Sequence, residues 1–518
     1  MCRRPRVRSR RAGRFRDAHP MTESPTLRIF IFFLTAFLSV SSGIIASSDG
    51  GTIFKVTEAI VERGEISVSG EHLKIGVGGR SVSHYGIALS VVAIPLYVAG
   101  KLVSSFIPEQ LQTLSLKGIV SLTNAIVSAL ACLFLFLTAQ KLDYSARVSL
   151  QLTASLAFST FFVVYATKSF LTQPLETLCL AGTLYCLIAH SRVSDRRMLL
   201  YAGCFSGGGV LTKWAFVINL PILVAYLLAI PDNTRRARNL SIFLAPVGVS
   251  LALALWYNYA RFGSILETGT RVSEFSTPLF VGLYGLLFSS GKSLFLYAPI
   301  ALLGLASMKA FSNSHKRETW LMLGLFTGNL LLIAKISYWG GEGSWGPRYL
   351  TLVLPCLVLP IGSLFRTGSI AVRRTFLALS LVGLLVQVGG VSVYYGTYYR
   401  VIGEYPYRTD FSDPLFMYKT RYVPNYSPAA GQLRMAHENW GNFLSGKKPS
   451  LKIDPGRQRI PLSEADLEKL RETLDLWFAY VYYAGVPFGL CLLGMTTLMG
   501  AAATMGWRLH RWSKGQDD

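Results

Sequence analysis

Apolar runs long enough to cross a bilayer recur along this chain, separated by short loops, and five of those loops carry two or three Lys or Arg each. That patterning leaves few architectures open, because lipid-exposed backbone must satisfy its own hydrogen bonds and helices do so within one segment. A chain of 518 residues would otherwise suggest about three soluble domains. With 51% hydrophobic residues, 15% charged and a mean hydropathy of +0.40, an all-α polytopic membrane protein is expected instead. The net charge of +23 would point to nucleic acid in a soluble protein. Here the basic residues flank apolar runs, as the positive-inside rule requires, so a nucleic-acid partner is not expected.

Apolar runs fall at 27–46, 85–107, 118–138, 148–167, 174–190, 199–230, 240–259, 280–308, 320–338, 349–365, 375–396 and 476–503. Strict alternation from 85–107 onward would put five basic loops, from Lys141/Arg147 to Arg366/Arg373/Arg374, on the external face. If 85–107 instead returns outward as a re-entrant or juxtamembrane element, all five lie in the cytoplasm with both termini. The 32 residues of 199–230 must leave and return, so both helices are short or broken, turning near Gly207-Gly208-Gly209 and Lys213-Trp214, around a cavity or as a tight glycine-packed hairpin. About twelve transmembrane helices result, with residues 280–292 on the external surface.

The expected organisation is a basic cytoplasmic N-terminus (1–26), a transmembrane module (27–396) with first external loop 48–117, an external polar domain (397–475), a last transmembrane helix (476–503) and a cytoplasmic tail (504–518). The first 20 residues hold eight Arg and one acid, which fits an anchor or an over-long start with Met21 as initiator; the span-length run after them argues against a cleaved signal peptide. Segment 397–475 has twelve basic and ten acidic residues, and the pattern Ser463-Glu464-Ala465-Asp466 predicts a helix over 463–475. Six cysteines lie in apolar runs, so neither a disulfide framework nor a metal-type spacing is available.

Asp49 follows the first span and opens Asp49-Gly50-Gly51. Partial desolvation there should raise its pKa, which suits a general base, with the glycines allowing a tight turn; a plain helix N-cap is the alternative. Residues 52–63 form an amphipathic interfacial helix with Glu58 and Glu62 on one face. Lys168, Lys213 and Arg348 reach the external face near span ends, where each could hold a phosphate or snorkel to the interface.

An acid just past the first span, an amphipathic helix, the turn Gly79-Arg80-Ser81-Val82-Ser83-His84-Tyr85-Gly86 and a proline-containing external helix together resemble the first external loop of the GT-C glycosyltransferases. That class includes protein O-mannosyltransferases and the lipid A aminoarabinose transferase. Thr167-Lys168-Ser169 to Glu176, Gly209 to Lys213, Tyr257-Asn258-Tyr259-Ala260-Arg261-Phe262-Gly263 and Trp339-Gly340-Gly341-Glu342 to Tyr349 add weaker matches in the same order. The resemblance implies a GT-C-like fold and transfer of a sugar from a polyprenyl-phosphate donor to a glycan, lipid or protein acceptor. The expected place is the external face of a bacterial cytoplasmic membrane. Asp49 is then the catalytic base, with Glu58, His84, Tyr85, Lys168, Glu176, Lys213, Glu342 and Arg348 binding substrate.

This chain departs from the class in having one acid, not a pair, in the first loop and in the displacement of Glu176 behind Pro174. Metal-independent catalysis is therefore expected, with no cofactor and no metal ligands, a divalent ion being the alternative. Two other functions fit such a topology. One is a flippase for lipid-linked sugars, and the other is an envelope-polysaccharide polymerase or ligase acting through Arg400, Arg408, Arg421 and His437.

Overall fold

The computed structural model describes residues 25–69, 73–168, 170–231, 235–270, 272–404, 415–447 and 473–517. Among them the chain is helical almost throughout, with one two-stranded antiparallel hairpin pairing Lys74–Ile75 with Ser81–Val82. Five helices are long and apolar enough to cross a membrane: Leu111–Lys141, Arg236–Phe262, Arg348–Phe365, Ile370–Ser392 and Phe488–Gln516. Other predicted runs fold as shorter or more polar helices packed among them. The run 148–167 divides at Thr160, which has extended backbone angles, into Ala146–Ser159 and Phe162–Thr167. In 349–365, Pro355 and Pro360 remove amide donors, and the segment alternates short 3-10 and α turns.

The first run also stops early. Its helix spans Pro25–Ser39, and Ser41 and Ser42 then leave the helical path. Ser42 N donates to the Thr167 carbonyl at 2.9 Å, and Trp477 N to the Ser41 carbonyl at 2.9 Å, so three distant segments are tied where the chain emerges.

The first long loop, 48–117, folds as expected in outline. Helix Ser48–Arg63 is amphipathic, burying Ile53, Phe54, Val56 and Ala59. It packs on the short helices Ala88–Val92 and Ile94–Ser104, the latter secured by Glu62, which accepts from Tyr97 at 3.0 Å and pairs with Lys101. The 199–230 hairpin breaks at Lys213, while Gly207, Gly208 and Gly209 stay helical instead of turning: helix Arg196–Thr212 ends at Lys213, whose φ of −159° and ψ of 129° are extended, and a 3-10 turn follows.

The predicted helix over 463–475 lies largely outside the described residues, and residues 473–475 are not helical. What is described of 397–475 is layered onto the helical body. Helix Pro428–Leu444 packs along Ile370–Ser392, Gln432 donates to the Tyr395 carbonyl at 2.7 Å, and Ala429 belongs to the main core.

Candidate functional site

Helix Ser48–Arg63 is capped by Ser47, whose hydroxyl accepts from the Gly50 amide at 3.1 Å. The cap position therefore does not fall on Asp49, which sits in the first turn with its carboxylate free to point elsewhere. Gly50 and Gly51 are helical, not a turn as expected. Gly50 permits close packing instead, since a Cβ there would meet the Phe170 carbonyl at 2.8 Å.

The Asp49 carboxylate accepts from Arg348 Nη1 at 3.0 Å, and the Tyr85 side chain lies within its electrostatic reach. The expected upward pKa shift is overturned. Burial pushes the carboxyl up, but the Arg348 charge, the Tyr85 hydroxyl and the nearby His84 together hold it below the ordinary carboxylate value.

Arg348 follows Pro347 and opens the 3-10 turn Arg348–Val353. Its stem crosses Gly341, a residue with φ of +66° at which a Cβ would lie 2.7 Å from Arg348 Cγ, so only glycine fits. Its Nη2 donates to the Tyr349 hydroxyl at 2.8 Å. On the face of the Tyr349 ring, 4.3 Å from the centroid, stands Lys213 Nζ, presented by the broken hairpin. Lys213 pairs at 3.8 Å with Glu176, which lies in the first turn of helix Gln173–Val193 and accepts from Thr172 at 2.7 Å. Two ion pairs, Asp49–Arg348 and Lys213–Glu176, are thus joined through one tyrosine.

His84 and Tyr85 stack with ring centroids 4.0 Å apart. Their turn is held by Arg261, at the end of helix Arg236–Phe262, whose Nη1 donates to the carbonyls of Ser83 at 2.6 Å and Tyr85 at 3.0 Å. The motif Tyr257 to Gly263 thereby fixes the turn that contacts Asp49.

Of the nine candidate residues, Asp49, His84, Tyr85, Glu176, Lys213 and Arg348 converge. Glu342 lies within electrostatic reach of Arg348. Two stand apart. Lys168 is fully buried and donates to the Asp475 carbonyl; burial, partly opposed by Asp475, brings its amine down to about 8. Glu58 lies farther along its helix, within electrostatic reach of Tyr97 and Lys117.

Tyr349 was legible only as the last letter of a motif. Lys292 was not singled out by sequence, and Arg421 only under the polymerase or ligase alternative, although both are buried beside the 339–346 loop. Among the described residues no group of three or more His, Cys, Asp or Glu converges in a way that could hold a metal ion.

Residues 115–257 match the family model described as dolichyl-phosphate-mannose-protein mannosyltransferase. That span contains Lys168, Glu176 and Lys213, and neither Asp49 nor Arg348. No curated protein sequence matches the chain. Among solved structures it is similar to ArnT from Cupriavidus metallidurans bound to undecaprenyl phosphate, with 13% identity over 92% of this chain and 77% of that one, TM-score 0.49. It is also similar to the archaeal oligosaccharyltransferase AglB from Archaeoglobus fulgidus in complex with an inhibitory peptide and a dolichol-phosphate. That likeness has 12% identity over 78% of this chain and 60% of that one, TM-score 0.49. Superpositions this loose leave residue correspondence undefined, and no residue role passes from them. The family likeness is thus confined to residues 115–257, less than half of the chain, within a helical membrane architecture.

Proposed function

We propose that this protein transfers a sugar from a polyprenyl-phosphate donor to a hydroxyl of an envelope or protein acceptor on the external face of a bacterial cytoplasmic membrane, with both termini cytoplasmic. The observation that carries this reading is the pair Asp49–Arg348 joined through Tyr349 to Lys213–Glu176. A base and two cations in one place are what displacement at an anomeric carbon with a phosphate leaving group requires.

In the reaction the acceptor oxygen bonds to the anomeric carbon from the face opposite the phosphate, with inversion. The bond from that carbon to the phosphate oxygen breaks, its electron pair leaves with the phosphate, and the acceptor proton passes to Asp49. Arg348 and Lys213 receive the charge that develops on the phosphate. The pairing of Arg348 with Asp49 supplies a coupling between donor and base. An arriving phosphate competes for the guanidinium, and as Arg348 turns to it the carboxylate regains basicity in the complex that needs it. Glu176 keeps Lys213 charged and aimed, and His84 and Tyr85 flank the acceptor side of Asp49.

A hard divalent ion normally needs converging carboxylates. Asp49 and Glu176 are each engaged by a cation, a donor set that fits a metal poorly, so the steps above are metal-independent.

The test is sugar transfer in proteoliposomes containing the lipid-linked donor that accumulates in a strain lacking this gene. Asp49→Asn should reduce transfer by about 100-fold or more while membrane insertion stays normal. Near-normal transfer by that variant, or movement of lipid-linked sugar across vesicles without glycoside formation, removes the reading; the second result would favour a flippase. Labelling of Asp49→Cys only from the cytoplasmic side would remove the external-face assignment.

A further inference from the structure

The 339–346 loop has a second arginine on its other side. Gly341 carries the stem of Arg348, while a Cβ on its neighbour Gly340 would stand 3.2 Å from Arg421 Nε. Arg421 comes from helix Tyr418–Tyr422 and is 5% exposed, and its Nε and Nη2 are buried without a hydrogen-bond partner among the described residues. It lies 4.9 Å from the Trp339 ring centroid and 5.0 Å from that of Phe416, contacts that satisfy the faces of a guanidinium but not its N–H edge.

Lys292 is fully buried next to it. Its ammonium donates to the carbonyls of Glu342 at 2.8 Å and Ser344 at 2.5 Å, and to the Ser344 hydroxyl at 3.3 Å. Among the described residues the nearby acids do not balance these cations. Glu342 is shared electrostatically by Lys292, Arg348 and Arg421. The Glu404 carboxylate is taken up by the amides of Lys419 and Thr420 and the Thr420 hydroxyl, at 2.6 to 2.9 Å.

A buried guanidinium stays ionised, and leaving its donors unpaired away from water is costly. Such a cost is offset when a ligand supplies the missing charge. The segment is also built to hold Arg421 in place: the Arg421 carbonyl accepts from Gly291 N at 3.1 Å, and Ser427 donates to the Ser290 carbonyl at 2.7 Å.

We propose that Arg421, with Lys292 beside it, is a second anion site, distinct from the Asp49–Arg348 centre, and that it receives a phosphate or carboxylate group carried by the acceptor. The assignment to the acceptor rests on the proposed function, in which the donor's phosphate occupies Arg348 and Lys213 and leaves Arg421, across the glycine pair, to the other substrate. The acceptor is then an anionic glycan or lipid, not a neutral one. Burial and the two neighbouring guanidiniums hold the Lys292 amine well below its usual range, and a bound anion would raise its proton affinity.

The test is titration of the full-length protein in detergent with inorganic phosphate, followed by calorimetry, for wild type, Arg421→Gln, Arg421→Lys and Arg348→Gln. Wild type should bind two phosphates. Arg421→Gln should lose one, Arg348→Gln the other, and Arg421→Lys should bind at its altered site roughly 10- to 100-fold more weakly. Undecaprenyl phosphate should displace phosphate from the Arg348-dependent site alone. Wild-type stoichiometry in Arg421→Gln overturns the proposal; if that variant does not fold, wild-type binding by Arg421→Lys overturns it equally. Displacement from the Arg421-dependent site by undecaprenyl phosphate would assign that site to the donor and overturn the acceptor assignment. Absence of the Arg348-dependent site alone would count against the proposed function and leave the second site standing.

Discussion

Arg348 and Arg421 flank the same pair of glycines, and they differ in what their N–H groups meet. Arg348 is paired with Asp49 and Tyr349 through its two terminal nitrogens, its Nε alone lacking a partner; Arg421 has aromatic rings and, among the described residues, no hydrogen-bonded partner at Nε and Nη2. A paired buried cation is a poised catalytic element, since its partner's basicity depends on whether the pair is intact. An unpaired one is a receptor, since its missing partner must come from outside. The difference separates the place where bonds change from the place where a substrate is recognised.

Several substitutions test that separation. Removing the guanidinium at the paired position, in Arg348→Gln, should have the largest effect, about 100- to 1000-fold on kcat in a donor-saturated transfer assay. A loss confined to KM would place Arg348 in ground-state binding alone. Asp49→Asn comes next, at about 100-fold. Its measured loss should not add to that of Arg348→Gln in the double variant, because contacting residues couple.

Tyr85→Phe should cost a few-fold and also move a pH limb. The Asp49 carboxyl lies below its ordinary value of 3.8. The stability contributed by its pairing is therefore present above that value and lost as pH falls through the lowered one. The acid limb of kcat/KM for the free enzyme should lie below 3.8 in wild type and rise toward it in Tyr85→Phe. An unmoved limb would remove Tyr85 from the set that tunes Asp49. Glu58→Gln should have the smallest effect, under about two-fold, because it lies farther along its helix, within electrostatic reach of Tyr97 and Lys117. A ten-fold loss in the same assay would put Glu58 back among the substrate ligands.

Local signals carried much of this architecture. The interruption of 199–230 at Lys213 was readable because 32 residues are too few for two full spans, and the helix does end there. The interfacial helix was readable from the spacing of Glu58, Glu62 and the apolar residues between them. What failed did so for tertiary reasons. Lys168 and Lys213 look alike in sequence, each basic and each at a predicted external turn. Lys168 is drawn to a carbonyl of Asp475, 307 positions away along the chain, while Lys213 meets Tyr349 and Glu176. The pKa of Asp49 was misread for the same reason: burial alone raises it, and the opposing charge comes from 299 residues downstream.

By itself the sequence determined that this chain builds a helical membrane protein and that the 199–230 hairpin must break, because these follow from hydropathy and backbone donors within one segment. Which carboxylate meets which cation was decided only by the tertiary structure. A side chain's charge is local, but its partner is whatever the packing of distant helices brings within about 4 Å, and that distance separates a paired Arg348 from an unpaired Arg421.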